Sequence, residues 1–113
     1  MLLIAKIKQK LKMFLTFDEI VEVVFGRISK DEIEYLQTIK RDDMIEFHST
    51  VGRGIRNDFR LWHTKNPLTK AFFEDGDKYV VNGVNLHPDH PDTVSCNVLY
   101  RVWDLANRHK ETI

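Results

Sequence analysis

The sequence predicts a mainly α-helical fold: one compact bundle of about five helices, with a small β-hairpin or irregular loop inserted near residues 78–87. Three observations carry this. Apolar residues recur at spacings of three and four along most of the chain. Thr16-Phe17-Asp18-Glu19 and Ser29-Lys30-Asp31-Glu32 both have the form of a capping box, in which a hydroxyl and a glutamate exchange hydrogen bonds at a helix start. Asn82-Gly83 lies between Tyr79-Val80-Val81 and Val84-Asn85-Leu86, which is a hairpin signal.

Composition narrows the class. A chain of 113 residues fits one helical domain, residues 1–113. Its 17 basic and 17 acidic residues cancel, which argues against non-specific binding to nucleic acid. Cys96 is the single cysteine, so an intramolecular disulfide and a cysteine-only metal site are both excluded. A free thiol suits a reducing cytoplasm, and a small buried core residue is the expected role. No run of about 18 apolar residues exists to cross a membrane. Lys6, Lys8, Lys10 and Lys12 interrupt the apolar start, so no secretion signal is expected either.

The elements follow in order. Leu3, Ile7, Leu11 and Phe14/Leu15 form a helical stripe among four lysines, predicting an amphipathic helix over residues 2–14. The stripe is expected to pack on the core, with the lysines solvated. A basic helix lying on a membrane or an acidic partner, or serving as a dimer contact, is the sharper alternative. The first capping box opens a second helix through Ile20, Val21, Val23 and Val24, with Gly26 as its stop. The second box opens a third, with Ile33, Leu36 and Ile39 inward. The acidic start of that helix, Asp31-Glu32, does not suit a DNA recognition helix.

Asp42 and Asp43 are expected to cap a long fourth helix over residues 43–62, with Phe47, Val51, Ile55, Phe59 and Trp62 inward. Asn66-Pro67 begins a short helical turn burying Leu68, Phe72 and Phe73. Pro91 suits the first turn of a final helix, with Val94, Val98, Leu99, Val102, Trp103 and Ala106 inward. The core is expected to span residues 16–106, with a frayed polar tail over residues 107–113.

The fourth helix carries the most informative pattern. Glycine inside a helix costs about 1 kcal/mol relative to alanine, so Gly52 and Gly54 need a reason, such as close approach of another backbone or of a ligand. His48, Gly52 and Arg56 stand at i, i+4 and i+8 and share one line along the helix. Gly52 then opens a gap in which a phosphate, a carboxylate or a partner backbone could meet Arg56, with Asn57 on the flank. The alternative is helix packing at the glycines, with Arg56 paired internally. His87-Pro88-Asp89-His90-Pro91-Asp92 places two histidines and two aspartates in six residues, a composition able to hold a divalent metal. Its prolines and spacing favour a rigid loop supporting the final helix, and no metal site is assigned. Ser49, Ser95 and Cys96 lack a nucleophile signature, and no phosphate-binding or dinucleotide fingerprint is present, so no cofactor is expected.

Phe47-His48, Gly52, Ile55-Arg56-Asn57 and Leu61-Trp62, followed by His87-Pro88-Asp89 and a helix containing Ser95, resemble a family of short helical proteins from bacterial and bacteriophage genomes, a domain family of unassigned function. Asp42-Asp43 and Thr16-Phe17-Asp18-Glu19-Ile20 fit it more loosely, and the resemblance covers roughly residues 16–105. The extra Pro-Asp and His between Asp89 and Ser95 depart from the pattern, as does the insert at Asn82-Gly83. The resemblance implies that helix four and the His-Pro-Asp turn belong together. Where they meet, His48, Gly52, Arg56, Asn57, His87 and Asp89 become one candidate binding cluster.

Three functions are then open. The chain is expected to be a small cytoplasmic binding or accessory module of phage or mobile-element type, taking a partner protein or an anionic small molecule on helix four. A small hydrolase or transferase using His48, His87 and Asp89, with or without a metal, is the second. A purely structural role for the Arg-Asn motif is the third.

Overall fold

The structure, a computed structural model, describes residues 2–111. It is mainly helical, with one two-stranded antiparallel ribbon. The elements are α1 (Leu2–Lys10), α2 (Phe17–Arg27), α3 (Lys30–Leu36), a 3-10 helix (Arg41–Phe47), α4 (Val51–Asp58), α5 (Lys70–Asp75), β1 (Val80–Val81), β2 (Val84–Asn85) and α6 (Pro91–Glu111). Among the described residues no helix is long and apolar enough to cross a membrane.

Helix α6 is the spine. It meets the 3-10 helix, α2, α4 and α3, and its Val94, Val98, Leu99, Val102 and Ala106 are buried against Ile20, Val24, Leu36, Met44, Ile55 and Phe59. Pro91 opens it, as expected. His90 is the residue before, and its Nδ1 accepts the Asp92 N–H at 2.9 Å, the bond an N-cap side chain makes. The far end is tied down too. The Gln37 side chain donates to the Ala106 carbonyl, and Asn107 donates to the carbonyls of Leu36 and Trp103. The helix runs on to Glu111, and residues 112–113 of the tail expected to fray lie outside the described residues.

Both capping boxes form. Thr16 Oγ1 accepts the Glu19 N–H while Glu19 accepts the Thr16 N–H, and Ser29 and Glu32 do the same. Lys8 adds a 2.9 Å ion pair to Glu19, joining α1 to α2. Helix α2 passes through Gly26, so glycine is not its stop. It ends because Ile28 turns extended (φ −82°, ψ 144°) to lead into the Ser29 cap.

Helix α1 ends at Lys10 rather than near residue 14. Lys12 adopts a left-handed conformation (φ 58°), with the Lys12 N–H on the Gln9 carbonyl and the Met13 N–H on the Lys8 carbonyl. That pair of bonds is a Schellman stop, formed without glycine. The facing of α1 is also corrected. Ala5 is its buried residue, whereas Leu3, Ile7 and Leu11 are 71%, 49% and 65% exposed. The small side chain lets α1 lie close on α2, and the apolar stripe faces away from the protein.

The single helix expected over residues 43–62 is broken. Asp43 caps the 3-10 segment by accepting the Lys40 N–H, but the helix stops at Phe47 and restarts at Val51, past a Thr50 whose backbone is non-helical (φ −109°, ψ −86°). A second Schellman stop closes α4. Arg60 is left-handed (φ 54°), its N–H bonds the Asn57 carbonyl, and the Leu61 N–H bonds the Arg56 carbonyl. This turn buries Leu61 completely and leaves Trp62 outside, half-exposed against Phe72, Phe73 and His90. Val51 is likewise exposed, and Phe72 and Phe73 are only half-buried. Asn66, fully buried, does work the sequence did not announce: its amide donates to the carbonyls of Phe59 and Arg60 just past α4. The expected hairpin forms, with Asn82 and Gly83 both at positive φ (51° and 79°) and Val81 opposite Val84.

Candidate functional site

The break before α4 exists alongside one side chain, Arg56. Its guanidinium folds back along α4 and is 8% exposed. Nη2 donates to the carbonyl of His48 at 3.2 Å, and that carbonyl precedes the first turn of α4. Nη1 donates to Ser95 Oγ on α6 at 2.8 Å, and Nε lies 3.4 Å from Asp92 Oδ1 in the first turn of α6. Ser95 Oγ donates in turn to the Asp92 carbonyl at 2.9 Å. One buried cation thus ties the 3-10 segment, α4 and the start of α6 together. A buried charge is tolerable only when paired and hydrogen-bonded, and this one is both.

Gly52 makes room for it. A Cβ placed on Gly52 would stand 3.1 Å from Arg56 Nη1 and 3.5 Å from the Phe47 carbonyl oxygen. The gap expected between His48 and Arg56 is therefore filled by the guanidinium of Arg56 itself. The carboxylate expected from a ligand is supplied by Asp92. Gly54 is different: a Cβ there would meet nothing within 4 Å.

His48 sits at the edge of this clasp. Its Nδ1 is 3.5 Å from Arg56 Nη1 and 3.3 Å from Cys96 Sγ, both donors. Nδ1 is therefore assigned as the acceptor, which leaves the ring proton on Nε2, 3.9 Å from Asp92 Oδ2. Burial pushes the Cys96 thiol pKa up; the charge of Arg56 opposes this and that of Asp92 adds to it. Cys96 is partly buried and partnered by His48, where a fully buried core residue is expected.

The structure divides the expected cluster. His48, Gly52 and Arg56 come together, whereas Asn57, His87 and Asp89 do not join them. Asn57 is exposed and lines a separate cleft with Gln9, Lys12 and Arg60. His87 is 2% exposed; its Nδ1 accepts the Asp89 N–H and its Nε2 lies 2.7 Å from Asp75 Oδ2. Tyr79 and Phe72 pack on that ring at 4.4 Å and 6.0 Å. His87 thus locks the hairpin insert to α5, with both ring nitrogens used. Asp89 contributes its backbone.

The physical reason is a tandem repeat. His87-Pro88-Asp89 and His90-Pro91-Asp92 form the same local bond, from the aspartate N–H to the histidine Nδ1. The second copy opens α6 and meets Arg56, three residues later than expected. Asp92, Ser95 and Cys96 are the site residues the sequence did not yield. Their spacing of three and four puts them on one face of α6, and that was the available signal. Among the described residues no group of three or more His, Cys, Asp or Glu side chains is placed to hold a metal ion.

A second feature lies on another face. An apolar groove of about 110 Å³ is walled by Ile28 and Tyr35 on one side and Phe47 and Val51 on the other, with Leu99 and Val102 of α6 also lining it. It adjoins a hollow of about 260 Å³ that shares Val24, Ile28, Glu32 and Val51 and extends to Gly54 and Asp58. Tyr35 and Val51 of the groove's lining stand exposed. No family model matches the sequence, and neither a curated protein nor a solved structure matches it.

Proposed function

We propose that this chain is a protein-binding module that works through the apolar groove between α3 and α4, with the Arg56 clasp holding the groove's walls in place. The observation that carries this is the groove itself: an open, apolar hollow in a charged surface, large enough for an aliphatic side chain of a partner. The clasp supports the same reading from the other side. The bonds of Arg56 run to Ser95, His48 and Asp92, inside the protein. The resemblance to small proteins of bacterial and bacteriophage genomes extends the proposal to an accessory role of that type.

An NMR titration of the methyl groups with 8-anilinonaphthalene-1-sulfonate tests it. Shifts confined to Val24, Val51, Leu99 and Val102, and lost in Val51→Lys, are the expected result. Val51 is exposed, so this variant keeps its melting temperature. Shifts centred on His48 and Ser95 would move the binding site to the clasp and overturn the reading.

One observation favours a second reading. Cys96 Sγ, His48 and Asp92 stand in the order of nucleophile, base and orienting carboxylate, at 3.3 Å and 3.9 Å. In that reading the Cys96 proton passes to His48 Nδ1 as Sγ attacks an electrophile. Iodoacetamide tests it. The thiol displaces iodide, and His48→Asn slows alkylation at neutral pH by about tenfold or more if the histidine acts as base. A rate indifferent to His48, and rising only at alkaline pH, excludes it.

A further inference from the structure

Three surface features have no partner among the described residues. Leu3 and Ile7 of α1, with Leu11 just past its end, form an exposed ridge. The apolar groove beside α3 is open. Gly54 carries the helix cost of a glycine while nothing within 4 Å would meet its Cβ.

We propose that these features belong to one contact: the α1 ridge of one copy of this chain seats in the groove of a second copy. This rests on the reading of the groove as the binding surface and names its occupant. Shape comes first. The ridge is convex, its apolar side chains stand one helical turn apart, and Ala5 on the opposite side holds α1 to its own body. The groove and its adjoining hollow offer successive recesses along Val24, Ile28 and Val51. Gly54 lines that hollow and keeps its floor low, which is what the close approach of a second backbone needs.

Charge is the second argument. Helix α1 carries Lys6, Lys8 and Lys10 and no acidic residue. Lys8 is paired with Glu19, which leaves Lys6 and Lys10 beside the ridge. Around the groove, α3 carries Asp31, Glu32 and Glu34 against Lys30, and α4 carries Arg53, Arg56 and Asp58, with Arg56 bound to Asp92 and Asp58 to Arg27. The 3-10 helix carries Asp42, Asp43 and Glu46 against Arg41, and Arg41 is itself bound to Asp104. A basic ridge facing an acidic-walled groove is complementary. Ridge against ridge would instead bring the lysines of two copies together. Because ridge and groove are different surfaces, the contact forms twice in a reciprocal two-fold dimer or runs head-to-tail into a ring or chain.

Sedimentation velocity over a concentration series tests this with two variants. Leu3→Glu with Ile7→Glu removes the ridge, and Val51→Lys blocks the groove. All three side chains face solvent in the single chain, and Leu3→Ser with Ile7→Ser repeats the ridge test without new charge. Wild type is expected to associate with rising concentration and to dissociate with added salt. The double ridge variant should weaken association by about a hundredfold and Val51→Lys by about tenfold or more, since each aliphatic side chain taken from a buried contact is worth about tenfold or more. Mixing the Glu ridge variant with the groove variant should give a heterodimer that grows no further, because one intact ridge meets one intact groove.

A monomeric wild type, or a mixture with no heterodimer, overturns the proposal. If the anilinonaphthalene shifts at the groove methyls persist in that case, the groove reading stands and only its occupant is wrong. If they are absent as well, both fall. Wild type that stays monomeric but sediments with phosphatidylglycerol vesicles, with loss in the ridge variant and none in Val51→Lys, assigns the ridge to a lipid surface and also overturns the proposal.

Discussion

Replacing Gly52 and Gly54 by alanine, one at a time, asks whether the guanidinium of Arg56 occupies the notch in α4. Both positions are helical, so each alanine gains about 1 kcal/mol of helix propensity. At Gly54 nothing opposes the gain, because a Cβ meets open space. Gly54→Ala is therefore expected to stabilise the protein by about 0.5–1 kcal/mol. At Gly52 the new methyl lies 3.1 Å from Arg56 Nη1, so the guanidinium must retreat by a few tenths of an ångström. Nη1 is held by Ser95 Oγ at 2.8 Å, and a hydrogen bond from a charged donor is worth about 1.5–3 kcal/mol. Loss of about 2 kcal/mol outweighs the propensity gain. Gly52→Ala should then be net destabilising by about 1 kcal/mol, roughly 4 °C in melting temperature. Urea unfolding at low protein concentration measures both. The decisive step is the double variant. With Arg56→Ala present, the remaining neighbours, Phe47 O at 3.5 Å and Leu99 Cδ1 at 3.8 Å, are in ordinary contact, so Gly52→Ala should switch sign and stabilise. If Gly52→Ala stabilises wild type as much as Gly54→Ala does, the guanidinium does not rest against Gly52.

Three further outcomes are expected. Arg56→Ala should lower unfolding free energy by about 3 kcal/mol in urea melts, since two hydrogen bonds of a charged donor are lost, while Asp92→Asn should cost about 1 kcal/mol because that carboxylate is partly solvated. Glu19 has its pKa held down, first by the Thr16 backbone N–H and then by Lys8. Its stabilising effect is therefore complete above the ordinary carboxylate range and fades as pH falls through and below it, so the stability gap between wild type and Glu19→Gln should close on acidification. Lys12→Gly should raise the melting temperature by relieving a left-handed residue, worth about 1 kcal/mol, while Arg60→Gly should not, because it also loses the 2.6 Å bond from Arg60 to the Lys12 carbonyl and the Phe14 ring contact.

The parts of the fold visible in the sequence are those settled by near neighbours. The Thr16–Glu19 and Ser29–Glu32 boxes, the Asn82-Gly83 turn and Pro91 at a helix start need only three or four consecutive residues to form. What escaped depends on distant partners. Periodicity marked Leu3, Ile7 and Leu11 as one face, but it does not say which face meets the core, and tiny Ala5 won that place. The break at Thr50 is invisible locally, because it is coupled to a guanidinium eight residues after His48 and to a serine on α6. Asn66 looked like turn punctuation beside a proline, yet it satisfies two carbonyls beyond α4. At the site, the glycine notch and Arg56 were readable. The choice between two adjacent His-Pro-Asp units was not, since both have the same local chemistry.

The central position of α6 has a consequence for biosynthesis. Its side chains fill the space between α2, α3, the 3-10 helix and α4, and its last anchors join Gln37 to Ala106 and Asn107 to Leu36 across most of the chain. At translation speeds of about 5–20 residues per second, α6 takes roughly one to four seconds to emerge. Until it does, the apolar faces of the preceding helices have nothing to close on. The nascent chain therefore stays unfinished and chaperone-accessible until α6 has emerged, and commitment to the fold waits on that helix.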